Sequence, residues 1–140
     1  MTGPALTVDV VALAGEPARS VLLIERGGEP FAGSWALPGG FVEGDERVAH
    51  AAARELCEET GVRAGEMALL GVYDTPGRDP RGPTVSIVYV MATAEEADAT
   101  GGDDAADARW FALDALPALA FDHALVIGDA VSFAASAPRR

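Results

Sequence analysis

The chain contains a single cysteine, Cys57, in 140 residues. No intramolecular disulfide can form, which argues against a cross-linked secreted scaffold. Basic residues are scarce, with 10 Lys and Arg against 22 Asp and Glu and a formal net charge of -12. Nucleic acid and anionic membranes both want patches of Lys and Arg, so neither is expected as a partner. A small anionic substrate stays open, provided that something positive bridges the two. No apolar run approaches the roughly 18–20 residues needed to span a bilayer. The opening "MTGPALTVDVVALAGEP" has no basic segment ahead of an apolar run, so no standard secretory signal is expected. A soluble cytoplasmic protein is the expectation, and the composition leaves a homodimer open.

What is present is core. Hydrophobic residues make up 49% of the chain, enough for a globular fold. With no internal repeat and no linker in view, a single domain over residues 1–140 is expected. Leu6–Ala14 and Ser20–Glu25, rich in Val, Leu and Ile, read as strands around the turn "AGEPAR". "GGEPFAGSW" reads as a loop, and "ALPGGFVEG" has too much Gly and Pro for a helix. From Asp45 to Thr60 the apolar residues Val48, Ala52 and Leu56 recur at helical spacing, with Asp45 as N-cap and Gly61 just past the end. Leu69–Tyr73, Thr84–Thr93 and Ala108–Phe111 read as further strands, and "FDHALVIGDAVSFAAS" as a C-terminal helix. Strands interleaved with two helices predict an α/β fold with the sheet between helices.

The predicted helix over 45–60 carries Glu55, Glu58 and Glu59 close together. At 100° per residue, Glu58 lies about 60° to one side of Glu55 and Glu59 about 40° to the other. Three carboxylates on one face repel and cannot all stay ionised cheaply. A divalent cation such as Mg²⁺ or Mn²⁺, which prefers hard oxygen ligands, would relieve them. Arg54 beside the cluster can orient one carboxylate through a bidentate contact. Taken alone, "ExxEE" is more often a solvated acidic face with Arg–Glu pairs.

The context decides between these readings. Gly40 is followed after five residues by Glu46, and after seven more by Arg54, Glu55 and Leu56. One residue on come Glu58 and Glu59, and one further on Gly61 and Val62. This spacing resembles the Nudix box at every specified position. "GSWALPGG" before it and "RWFALDALP" after it also look like that family. The resemblance implies a Nudix-type α/β/α sandwich with a mixed β-sheet between helices. It also implies hydrolysis of a nucleoside diphosphate linked to another group, with a divalent ion, Mg²⁺ or Mn²⁺. On the same basis Glu55, Glu58 and Glu59 are the metal carboxylates and the Gly40 carbonyl is a further ligand. Glu46 and Arg54 are a supporting pair, Gly39 and Gly61 are structural, and Glu58 or Glu59 is favoured to activate water. "GGDDAADARW" offers Asp103, Asp104 and Asp107 as a later acidic source; Asp104 sits where some relatives place a ligand or base, and its glycines suit a mobile loop.

The box does not choose the substrate. Pro76 lies fifteen residues beyond Gly61, and "GRDPRG" and a strand follow it. Together with the late "FDHA", this resembles the ADP-ribose pyrophosphatase branch. Arg78 and Arg81 are the only basic residues between Ala64 and Ala108 and could clamp phosphate or cover a ribose. Their alternative is pairing with Asp74 or Asp79 in a turn. Phe31 and Trp35 are candidates to stack on a base, or to pack. His50, His123 and Cys57 read as structural or passive. Two other readings stay open: a pyrophosphohydrolase of nucleoside triphosphates, including oxidised ones, and a non-catalytic ADP-ribose sensor. The intact box, and a chain that stops at Arg140 about where such a domain should end, favour the enzyme.

Overall fold

The computed structural model describes residues 3–102 and 105–136. In chain order these form β1 (Ala5–Ala14), β2 (Ser20–Arg26), β3 (Trp35–Ala36), β4 (Gly39–Phe41), α1 (Val48–Thr60), β5 (Ala68–Tyr73), β6 (Thr84–Thr93), β7 (Ala105–Ala112) and α2 (His123–Ser136). The sheet runs β3-β2-β1-β6-β5, with β4 also on β1 and β7 also on β2. β1 and β6 are parallel from Ala5↔Thr84 to Ala14↔Thr93, and the other pairings are antiparallel. The sheet is therefore mixed, as expected.

β1 is largely apolar because both of its faces are covered. Val8, Val10 and Ala12 pack with Leu22 against Ala51, Ala52 and Leu56 of α1. Val11 and Leu13 point the other way, with Val21 and Leu23, onto Val126, Ile127 and Ala130 of α2. This period of two makes one strand serve two cores. Leu13, Leu22, Leu23 and Leu56 are each fully buried, and each contributes about 1.5–3 kcal/mol of burial. Asp9 falls on the α2 face of the same strand, a polar break in an apolar row.

Two local expectations are corrected. α1 starts at Val48 with Arg47 as N-cap and no side-chain cap, not at Asp45. Gly44, at φ 52°, and the Glu46 N–H to Glu43 carbonyl bond (2.9 Å) put Asp45 in a turn before the helix. The glycine-rich "GGF", read as non-helical, is indeed no helix: it is the strand β4, with Gly39 and Gly40 flat on β1 opposite Asp9 and Val8. Trp35, read as loop, is in β3. The C-terminal end of α1 is as predicted: Gly61 is left-handed at φ 75°, and its N–H reaches the Cys57 carbonyl.

Candidate active site

β4, α1, the loop before β6 and the start of α2 converge on a cavity of about 610 Å³, a size ordinary for a nucleotide-scale ligand. Its wall includes Gly39, Gly40, Glu55, Glu58 and Glu59 from the box, and Arg78 and Arg81 from the loop before β6. The two sets, assigned separately in the sequence, thus face the same space.

The three glutamates lie in the last two turns of α1, where the helix dipole disfavours negative charge, and no basic residue sits in the last turn. Arg54 supplies the compensation. It donates through Nε and Nη2 to both oxygens of Glu46 (2.7 and 3.0 Å). Its Nη1 reaches Glu55 (2.8 Å) and Glu58 (3.0 Å), and Nη2 reaches the Phe41 carbonyl (3.2 Å). The guanidinium holds the Glu46 carboxyl below the usual carboxylate range and is itself held more firmly protonated. Arg54 therefore ties the 41–46 segment to the helix while screening two box carboxylates. Glu59 is buried, and its Oε1 accepts the Gly39 N–H at 2.8 Å. Glu58 is the more open of the pair, with its side chain 42% exposed.

Both box glycines are required by close approach. A Cβ on Gly40 would meet the Glu55 carboxyl carbon at 2.7 Å. One on Gly39 would run into the Val8 carbonyl and the Asp9 carboxylate. A divalent cation fits this donor set: three carboxylates from one helix border the cavity beside a backbone that only glycine can bring so near. Among the described residues, no three Asp, Glu, His or Cys side chains are already gathered as a cage. Mg²⁺ needs none, because it keeps several waters and takes one or two carboxylates plus substrate phosphate.

The arginines differ. Arg78 is nearly buried, with Nε and Nη2 on the two Asp122 oxygens (3.0 and 2.8 Å) and Nη1 on Ser86 Oγ (2.6 Å). Arg81 has its side chain 45% exposed and is paired bidentately with Asp79 (3.1 and 2.8 Å). The pairing with Asp79 expected of a turn is present, yet both arginines still border the cavity. Trp35 does not. Its ring packs edge-on against Phe111 at 4.8 Å, with Arg109 over it. Phe31 stands behind the wall, in contact with the lining residue Phe121. Asp107 pairs with Arg109 (2.8 Å). Asp103 and Asp104 lie outside the described residues. Gly101 and Gly102 pack tightly: a Cβ would come within 2.8 Å of Asp107 Cα and 2.7 Å of the Glu58 carbonyl, respectively. Those glycines are needed for closeness.

Sequence reasoning passed over a polar floor. Asp9 and His123 are both buried and line the cavity, with His123 Nε2 3.8 Å from Asp9 Oδ2. His123 Nδ1 accepts the Leu37 N–H at 3.0 Å, so the first residue of α2 braces the loop that leads into Gly39. Burial pushes the Asp9 carboxyl up to about 7, with Arg78 opposing, and pushes the His123 imidazole down to about 4. Near pH 6 the two are a neutral pair, and 3.8 Å is too long for a hydrogen bond. For Asp9 the available signal was an Asp inside an apolar strand; His123 was read from "FDHA" as structural, and its place at the start of α2 agrees with that.

Carboxylates of one helix and two arginines bordering the same cavity, beside a glycine strand, form a site that could hold a metal ion next to a phosphoanhydride. The NUDIX domain family model matches residues 3–129, and the chain belongs to that family. It is 47% identical over 126 residues to an ADP-ribose pyrophosphatase of Methanocaldococcus jannaschii, covering 90% of this chain and 72% of that protein. The NUDIX domain of Shewanella oneidensis NrtR, solved with ADP ribose, superposes with a TM-score of 0.87 at 30% identity, over 95% of this chain and 90% of that one. A bifunctional NMN adenylyltransferase/ADP ribose pyrophosphatase of Francisella tularensis, solved with AMP and a Mn ion, gives 0.84 at 28% identity. This chain spans 96% of its own length there but 43% of that protein.

Proposed function

We propose that the chain hydrolyses the pyrophosphate bond of ADP-ribose, giving AMP and ribose 5-phosphate, with Mg²⁺ or Mn²⁺. The observation that carries this reading is that the box glutamates and Arg78 and Arg81 border one cavity. The 47% identity to an ADP-ribose pyrophosphatase supports this substrate, as does the likeness to an ADP-ribose complex. The chain is thus a Nudix hydrolase of the ADP-ribose pyrophosphatase type.

The bound cation would offset the phosphate charge and make a bound water acidic enough to attack phosphorus. Glu55, Glu58, Glu59 and the Gly40 carbonyl would hold it. Glu59 also latches Gly39, so the carbonyl that follows is fixed before any ligand arrives. Glu58, the more exposed of the two candidate bases, has the room to take the proton from water. Arg54 limits how far Glu55 and Glu58 can turn. Arg78, clamped by Asp122 and Ser86, presents a rigid positive wall to the substrate, while the more exposed Arg81 can exchange Asp79 for a phosphate oxygen.

The test is a panel of ADP-ribose, NADH, diadenosine polyphosphates, and normal and oxidised dNTPs, each with Mg²⁺ or Mn²⁺. Metal-dependent release of AMP from ADP-ribose with the highest kcat/KM is expected. Faster turnover of an oxidised dNTP would overturn the substrate assignment, and ADP-ribose binding without hydrolysis would overturn the enzyme reading.

A further inference from the structure

The chain enters the glycine strand through Leu37 and Pro38, both buried. Proline has no N–H, so the backbone offers donors only at Leu37 and Gly39 on the way to Gly40. Both go to side chains. The Leu37 N–H donates to His123 Nδ1 at 3.0 Å, and the Gly39 N–H to Glu59 Oε1 at 2.8 Å. His123 belongs to α2 and Glu59 to α1, the helices that cover opposite faces of the sheet. Between them the Pro38 carbonyl accepts the Val10 N–H at 2.9 Å. Each of the three residues ahead of the Gly40 carbonyl is therefore held, two of them by a helix side chain.

An Nδ1 that accepts carries no proton, so the imidazole is neutral with its hydrogen on Nε2. His123 is 3% exposed, and without its acceptor the Leu37 N–H would be a buried donor with no partner. The residue before it works on the other wall. Asp122 takes Arg78 on both carboxylate oxygens, and Arg78 passes a further bond to Ser86 Oγ. Ser86 in turn hydrogen-bonds the Asp9 carboxylate, which lies against Gly39. The contacts thus close into a ring from Leu37 through the start of α2 and Arg78 back to Gly39. Phe121, just ahead of the pair, has a φ of 54°, which a bulky residue rarely adopts, so the entry into α2 is fixed by its surroundings.

We propose that His123 is a positioning residue for the cation site: its Nδ1 holds Leu37 so that the Gly39 N–H keeps Glu59, and the Gly40 carbonyl, in place. This deepens the Nudix pyrophosphohydrolase reading and rests on it. His123 acts through the backbone rather than on the reacting atoms. Asp122 beside it sets Arg78, so one turn of chain aligns the metal end of the cavity with its arginine wall.

His123→Asn, His123→Gln and His123→Leu separate the acceptor from the bulk of the ring. Asn can place its oxygen about where Nδ1 stands, Gln carries it one carbon further out, and Leu has none. In chelator, amide hydrogen exchange at Leu37 and Gly39 should match the wild type in Asn and speed up at least about tenfold in Gln and Leu. Mn²⁺ binding to the free protein, followed by electron paramagnetic resonance, should weaken roughly 10- to 100-fold in Gln and Leu and little in Asn. The Mg²⁺ needed for half-maximal turnover of ADP-ribose should rise in step, while KM for ADP-ribose moves little. Asp122→Asn should do the reverse, raising KM with Mn²⁺ affinity kept. Wild-type Mn²⁺ affinity in Gln and Leu, or equal weakening in Asn and Gln, overturns the proposal. So does Mn²⁺ binding weakened as far in Asp122→Asn as in His123→Gln, which would mark general damage to the start of α2. Where Leu does not fold, Gln against Asn decides. A wild type that binds no Mn²⁺ overturns the cation site and this proposal together. One that binds Mn²⁺ in the expected pattern but leaves ADP-ribose intact overturns that substrate alone and supports the positioning role.

Discussion

Replacing either member of the Asp9–His123 pair should expose two opposed proton linkages that largely cancel in the wild type. His123 titrates at about 4 in the fold against 6.5 free, because burial disfavours the imidazolium. Its folded pKa is depressed, so the unfolded chain takes the proton first, and stability is lost as pH falls from 6.5 to about 4. Asp9 titrates at about 7 in the fold against 3.8 free. Its folded pKa is raised, so its contribution is full below 3.8 and is lost as pH rises through about 7. Each proton is worth about 1.4 kcal/mol per pH unit across its window, or roughly 3–4 kcal/mol for either group. Between pH 7 and 4 the two slopes have opposite sign. His123→Asn removes the His123 slope, so relative to wild type that variant should gain about 3 kcal/mol on acidification from pH 7 to 4. Asp9→Asn removes the Asp9 slope and should lose about 4 kcal/mol relative to wild type over the same range. Asn can also accept the Leu37 N–H bond, which limits loop damage. The assay is urea unfolding in chelator at half-unit pH steps, read as each variant minus wild type. Parallel pH curves for wild type and both variants would refute the reasoning.

Four further outcomes are expected. Glu58→Gln and Glu59→Gln should each lower kcat at least about a hundredfold while melting in chelator at or above the wild-type temperature, because charge repulsion is reduced. Near-normal turnover would remove that residue from the metal site. Gly40→Ala should reduce both stability, by about 1–3 kcal/mol, and turnover, since the methyl would strike the Glu55 carboxyl; an unaffected melt would show that the strand can yield. Arg81→Ala should raise KM for ADP-ribose with little change in melting, whereas Arg78→Ala should also destabilise by about 3 kcal/mol because Asp122 loses a nearly buried partner. Equal melting of the two would contradict the distinction. Asp104→Asn should lower kcat roughly 10- to 100-fold without altering the melt, and full activity of the Asp103→Asn/Asp104→Asn double variant would exclude that segment from catalysis.

The box was legible because its parts answer to one helix and one turn. Carboxylate spacing along α1 and the Gly61 terminus are local geometry, and local geometry is written in adjacent residues. The start of the same helix was not legible. Asp45 has N-cap chemistry, but Glu46 is drawn to Arg54 and the 43–46 turn intervenes. The far wall of the cavity depends on long-range pairing. Asp9 and His123 meet only because β1 lies beside β4 and α2 packs on that face of the sheet. Trp35 looked as suitable for stacking as any aromatic. Its strand pairing with Glu25 and its bridge to Leu119 accompany a ring that packs onto Phe111 instead. Phe121 carried no signal beyond "FDHA", since a left-handed phenylalanine cannot be read from its neighbours.

The charges around the cavity explain why this architecture calls for a cation rather than more basic residues. Asp9, Glu29, Glu43, Glu55, Glu58, Glu59 and Asp79 line it against Arg26, Arg78 and Arg81. None of those arginines is idle: Arg78 serves Asp122 and Ser86, Arg81 serves Asp79, and Arg26 Nε donates to the Pro30 carbonyl at 2.6 Å. A diphosphate entering alone would meet net negative charge and would have to take an arginine from a carboxylate already holding it. Swapping one anion for another around the same guanidinium gains little. A divalent ion would offset two of the charges at the box end, where carboxylates are densest, and would leave the arginines to orient rather than attract. On that division, the nearly buried Arg78 would hold its place and the half-exposed Arg81 would be the one to move.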